Sequence, residues 1–195
     1  MNSIEDEKIA FLREAHADEI HHSDRALLDH LVATAGLLEH WGARAAVCDA
    51  GLYHSVYGTE FFRSATVDQA RRTSVQQRIG AEAERLAWLF CAMQRDRFER
   101  EAAAGTPGAL HFHAGGEPTA VTAGEVADLA NIVAANAVEQ LPRLPRRARA
   151  MVVGLLAMRA HLLETAIAGL EQFLPTGAVS PGLSPGARGT RAAPR

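Results

Sequence analysis

Apolar residues recur at intervals of three and four along almost the whole chain up to residue 174, and a two-residue alternation never persists beyond a few positions. That periodicity predicts an all-α fold. Ser3 with Asp6 caps a first helix carrying Ile9, Phe11, Leu12 and Ile20, and Ser23 opens a second whose inner face holds Leu27, Leu31, Leu38 and Trp41. Gly42 ends it. A third helix runs from Ala43 to Tyr53 or Val56 and stops at Gly58, leaving Glu60 to Ala65 as a connection. Thr66 with Gln69 reads as the capping box of a fourth helix reaching Gly80, and Ala81 to Ala104 as a fifth with Leu86, Leu89, Phe90 and Met93 turned inward. Thr122 with Glu125 opens a sixth through Gln140, and Pro145 begins a seventh that runs to Phe173. About seven helices are expected.

Two stretches break the pattern. Between Gly105 and Thr122, Gly-Thr-Pro-Gly and Gly-Gly-Glu-Pro flank Leu-His-Phe-His, which predicts a loop or short hairpin. From Pro175 the chain is rich in Pro, Gly and Ser and has no acidic residue, so a disordered tail over 175–195 is expected behind a helical domain over 1–174.

Composition narrows the function classes. A chain of 195 residues with 48% hydrophobic and 22% charged positions can bury a substantial core in one domain. A net charge of −3 supplies no general attraction to nucleic acid or to an anionic membrane. Cys48 and Cys91 sit within apolar helical patterns and read as packing residues of a reduced chain. The acidic, amphipathic start lacks the features of a signal peptide, and Met151 to Leu163 is interrupted by Arg159 and His161 and is shorter than the about 20 residues of a membrane span. The expectation is a cytoplasmic protein with a small-molecule partner, and the exposed parts of the last helix allow a homodimer.

Of nine histidines, two share faces with core positions. His30 lies with Leu27, Thr34 and Leu37, and His54 with Val47, Ala50 and Gly51, small residues that leave room for an imidazole. A single histidine on an apolar face is usually a hydrogen-bonded core residue. Two of them on successive antiparallel helices, 24 residues apart, can bring their rings together in a pocket. His111 and His113 read as a possible metal pair on a short strand or as exposed loop residues. Asn136 reads as inward-facing, Asn131 and Glu139 as solvent-facing.

The segment LLDHLVATAGLLEHWGARAAVCDAGLYHSVYG resembles the opening of the HD-domain superfamily, and the spacing of its histidines resembles that of the hydrolase half of guanosine tetraphosphate synthetase/hydrolases. NIVAANAVEQLPR is similar to the helix that supplies the last ligand of that superfamily. The resemblance spans about Glu19 to Arg143 and implies an HD-like helical bundle, a divalent metal held by His30 and His54, and hydrolysis of a phosphorylated or nucleotide-like substrate. Ser55 stands where the superfamily has its signature aspartate, and Asn136 where it has its last one. The strings HHSDRALLDHL, AGLYHSVYGTEFF and ANAVEQLPR also resemble a narrower bacterial family whose domain has no assigned function.

With both aspartates replaced, another acid must charge the site. Glu60, six residues beyond His54, is the first candidate for the third metal ligand and Glu139 the second; a two-His, one-carboxylate set suits iron, manganese or zinc. Tyr57, one turn from His54, is a candidate proton donor, and His54 and Glu60 complete the catalytic set. His22, Arg25, Asn136 and Glu139 are candidates for holding substrate, Arg25 through its bidentate fork unless it pairs with Asp29. The leading expectation is a metal-dependent hydrolase. The alternatives are a mononuclear non-haem iron oxygenase, a metal-free acid-base enzyme and a non-catalytic metabolite-binding module.

Overall fold

The computed structural model describes residues 3–22 and 25–174, without the side chains of residues 3–5 and 22. The Ser3 side chain, the Ser23 cap and the tail expected over 175–195 lie outside what is described. The fold is all-α. Nine α-helices follow in order among the described residues: α1 (Ser3–Glu14), α2 (Leu27–His40), α3 (Ala45–Leu52), α4 (Arg72–Ile79), α5 (Ala81–Ala92), α6 (Arg95–Ala104), α7 (Ala123–Gln140), α8 (Pro145–Ala157) and α9 (Glu164–Glu171). Two short antiparallel pairs accompany them. His21–His22 pairs with Arg25–Ala26, and Ala109–Leu110 with Thr119–Ala120 in the hairpin expected between 105 and 122.

The centre of the bundle is α7, started by the Thr122–Glu125 capping box, in which Glu125 N–H donates to Thr122 Oγ1 at 3.1 Å and Thr122 N–H to Glu125 Oε2 at 2.8 Å. Val126, Leu129, Ala130, Ile132 to Ala135, Ala137 and Val138 are all buried, so this helix has little solvent face and packs against α2, α3 and α5. Helices α2 and α3 form an antiparallel hairpin turned by Gly42, whose φ of +77° suits glycine. They approach closely because position 51 has no side chain: a Cβ there would run into Leu38 Cδ1.

Two expected helices are each divided. Ala81 to Ala104 breaks at Met93, because the segment after the turn at 105 captures the backbone: Gln94 N–H donates to His111 O at 2.8 Å and His113 N–H to Ala92 O at 3.0 Å. The expected last helix breaks after Ala157. There the side chain of Asn131 donates to His161 O at 3.0 Å and accepts from Leu163 N–H at 3.0 Å, satisfying the interrupted backbone. Asn131 is therefore buried rather than solvent-facing. The fourth helix starts later than its sequence suggests. Asp68, not Thr66, caps the 3-10 turn Gln69–Arg71 that leads into α4, while Thr66 Oγ1 turns to Val56 O. Among the described residues no helix is long and apolar enough to cross a membrane.

Gly51→Ala is expected to lower stability by about 1–3 kcal/mol through overpacking against Leu38. Gly36→Ala on the open side of α2, where nothing lies within 4 Å of the added methyl, is expected to be neutral or to stabilise by up to about 1 kcal/mol. Urea unfolding of the two variants checks the contrast.

Candidate functional site

His30 lies in the first turn of α2 and His54 in the turn after α3, both fully buried. Each ring is held from behind by one nitrogen. His54 Nδ1–H donates to Gly51 O at 2.6 Å, a carbonyl at the helix end that the His54 backbone N–H reaches only at 3.5 Å, and the ring packs edge-on against Phe90 at 4.9 Å. His30 Nδ1–H donates to Glu139 Oε2 at 2.5 Å. With the Nδ1 protons so placed, the neutral rings point Nε2 lone pairs forward.

The two Nε2 atoms lie 3.1 Å apart, and Asn136 Oδ1 lies 3.1 Å from each. Gln140 Nε2 donates to that Asn136 oxygen at 3.2 Å and to Asn136 O at 3.0 Å, which fixes the amide with its oxygen toward the imidazoles. Three electron-pair donors thus converge on one point. Such an arrangement calls for positive charge among them, either a metal ion or a proton on one Nε2.

The donor set fits a metal. Ligands around an ion bound at about 2.1 Å are about 3.0–3.4 Å apart, so the 3.1 Å triangle can occupy one face of a coordination sphere and leave the rest open. The acceptors behind the imidazoles complete the carboxylate–histidine and carbonyl–histidine supports typical of such ligands. Among the described residues no three His, Cys, Asp or Glu side chains are grouped to hold an ion, so the third donor is an amide.

Glu139 is the acid of the site, but it stands behind His30. It is buried rather than solvent-facing, its side chain only 5% exposed. Oε1 accepts from Arg25 Nη2 and, at 2.6 Å, from Arg143 Nη2. Burial opposes its ionisation, but the hydrogen bonds from His30 and Arg143, with the positive charge of Arg25, outweigh this and hold the carboxyl at about 2. Arg25 is consequently a partner of Glu139.

Two other candidates have different partners. Glu60 Oε2 accepts Arg95 N–H at 2.9 Å, so this carboxylate caps the start of α6. Tyr57 OH donates to Glu84 Oε1 at 3.0 Å, and the same buried carboxylate takes Arg72 and Gln76. Burial, with the Glu84 charge, pushes the Tyr57 hydroxyl well above its ordinary range, which makes it a poor proton donor. His22 ends the first short strand, and its side chain lies outside the described residues. His113 Nε2 donates to Cys91 O at 3.1 Å, a structural use.

A cleft of about 560 Å³ opens beside the donor triangle, with Ser55, Asn136 and Gln140 at its polar end. Phe61, Phe62, Phe90, Val133, Met151 and Leu155 make much of its wall apolar, and Arg95 and Arg147 stand among them with Asp96 and Glu99. The cleft lining and the roles of Arg143 and Gln140 were missed in the sequence. The pairs Asn136–Gln140 and Glu139–Arg143, each four residues apart on one helix, carry the pattern that reveals the latter two.

Residues 11–95 match the family model of a domain of unknown function, DUF6817. The match supports the likeness to an uncharacterised family; it contains His30, His54 and Ser55 and ends before Asn136 and Glu139. No curated protein and no solved structure matches the chain.

Glu139→Ala is expected to cost about 3 kcal/mol, the low end for breaking a buried ion pair, because both guanidinium partners are about a quarter exposed. Since Glu139 is held at about 2 in the folded chain, its contribution is fully present above its unfolded pKa of about 4.3 and is lost as pH falls toward 2. Urea unfolding between pH 5 and 2 is therefore expected to show a shallower loss of stability in Glu139→Gln than in the wild type.

Proposed function

We propose that the chain is a metal-dependent enzyme on an HD-like helical fold, hydrolysing a small phosphorylated or nucleotide-like substrate. The observation that carries this reading is the triangle of His30 Nε2, His54 Nε2 and Asn136 Oδ1, closed at 3.1 Å on every side and oriented from behind by Glu139 and Gly51. It supports the resemblance of the sequence to the HD superfamily at the two histidines, while Ser55 and Asn136 stand at the aspartate positions and leave the donors neutral.

A divalent cation held by these residues would supply electrophilic activation of a substrate oxygen and of water. The chain's own groups prepare the site. Glu139 holds the Nδ1 proton of His30 and makes the imidazole a better electron-pair donor. Gly51 O does the same for His54 through a neutral acceptor. Asn136 belongs both to the triangle and to the cleft, so it positions whatever enters, and its own orientation depends on Gln140. The apolar walls exclude water from the substrate's body.

One observation favours a second reading, a mononuclear iron oxygenase: the donors form a single face beside a cleft lined mainly by aromatic and aliphatic side chains. The reactions differ in product, phosphate release for the first and oxygen consumption for the second.

Elemental analysis of protein purified without added metal or chelator tests the shared premise. Near-stoichiometric manganese, zinc or iron is expected in the wild type, and none in a His30→Ala, His54→Ala double variant. No metal in either protein after reconstitution overturns both readings and leaves a proton shared between His30 and His54 as the charge at the site.

A further inference from the structure

Arg95 differs from the other arginines that bear on the fold. Arg25, Arg44, Arg72 and Arg85 each hold a carboxylate directly. Arg95 Nε is shut off from solvent and has no hydrogen-bond acceptor among the described residues; Arg25 Nε is in the same position, but that guanidinium holds Glu139 through Nη2. The guanidinium lies 4.0 Å over the Phe90 ring, and that ring also meets His54 edge-on. The cation is thus one aromatic ring away from the donor triangle, on the wall of the cleft that ends at Asn136.

Three acids stand near it, Asp96 and Glu99 on the same cleft, and among the described residues none is hydrogen-bonded to the guanidinium. Glu60 is engaged by the Arg95 backbone N–H, and Glu99 is itself pushed up by burial, with Asp96 adding to the rise and Arg95 opposing it. Burial pulls the guanidinium down to about 10 although Glu99, Glu60 and Asp96 favour the charge. An incoming anion would relieve that penalty, and the planar fork suits two oxygens of one oxyanion. Next to it, Phe61 exposes 71% of its surface on the same cleft, an unusual position for an aromatic side chain without a ligand.

We propose that Arg95 is the substrate's anion receptor, so that the cleft takes a small organic oxyanion, phosphate or carboxylate, whose apolar ring-sized body lies against Phe61, Phe62 and Leu155. The inference rests on the proposed reading only in taking this ligand as the substrate of the His30–His54–Asn136 site. Phosphate and carboxylate share the same recognition chemistry. A preference for the phosphate agrees with hydrolysis, and a preference for the carboxylate with the oxygenase reading.

The test is calorimetric titration of the full chain with phenyl phosphate, benzoate, inorganic phosphate and phenol. Phenyl phosphate or benzoate is expected to bind at least about tenfold more tightly than inorganic phosphate and phenol, since both the charge and the ring contribute. Arg95→Ala is expected to weaken that binding about ten- to a hundredfold, the range for losing a hydrogen-bonded charge, with metal content unchanged. Arg95→Met keeps an apolar stem over Phe90 and serves if the alanine variant unfolds; the same loss is expected. The His30→Ala, His54→Ala double variant is expected to lose metal and still to bind phenyl phosphate more tightly than phenol, so failure of the metal reading is seen separately. Wild-type affinity in Arg95→Met, loss in Arg147→Ala alone, or aryl anions binding no better than phenol overturns the proposal.

Discussion

Glu139 carries a charge into the end of a helix whose neighbours in the interior are Ala137, Val138 and Leu141, and an isolated carboxylate there would be too costly to keep ionised. Three donors from three parts of the chain make it possible. Arg25 comes from the strand before α2, His30 from α2 itself and Arg143 from the turn after α7. The cluster joins the first and last parts of the site and decides which nitrogen of His30 faces His54. Without that anchor the ring would be free to choose another tautomer, and the 3.1 Å triangle would have no fixed geometry.

The negative charge of the site stands one residue behind the inner donors. Asn136 is neutral, so the inner donors are two imidazoles and an amide. The carboxylate acts through the His30 Nδ1 proton, one ring behind the converging lone pairs. A cation at such a centre would be held less tightly than one with acids in direct contact, because the Coulomb attraction acts across a longer distance.

The cleft owes its character to a break in a helix. If Ala81 to Ala104 ran on without interruption, Arg95 would continue the helical spiral of Phe90. The backbone pairing of residues 92–94 with 111–113 ends α5 and restarts the chain as α6, with Glu60 capping the new start. The guanidinium then lies back over Phe90, a ring that also meets His54. Loop pairing, ring packing and the donor triangle are therefore one connected arrangement.

The helical class, the hairpin, the α2–α3 turn at Gly42 and the meeting of His30 with His54 follow from local periodicity, which a single sequence displays because helix faces repeat every three to four residues. The inward direction of Asn136 was legible in the same way. The burial of Glu139 and Asn131 was not, since each polar side chain is admitted to the interior by partners far away: Arg25 is 114 residues from Glu139, and His161 is 30 from Asn131. The destinations of Tyr57 and Glu60, at Glu84 and the start of α6, were hidden for the same reason. Periodicity says which face a residue occupies. Which donor or acceptor waits there is decided only when the helices pack, because a buried polar group takes the partner that tertiary structure brings within about 3 Å.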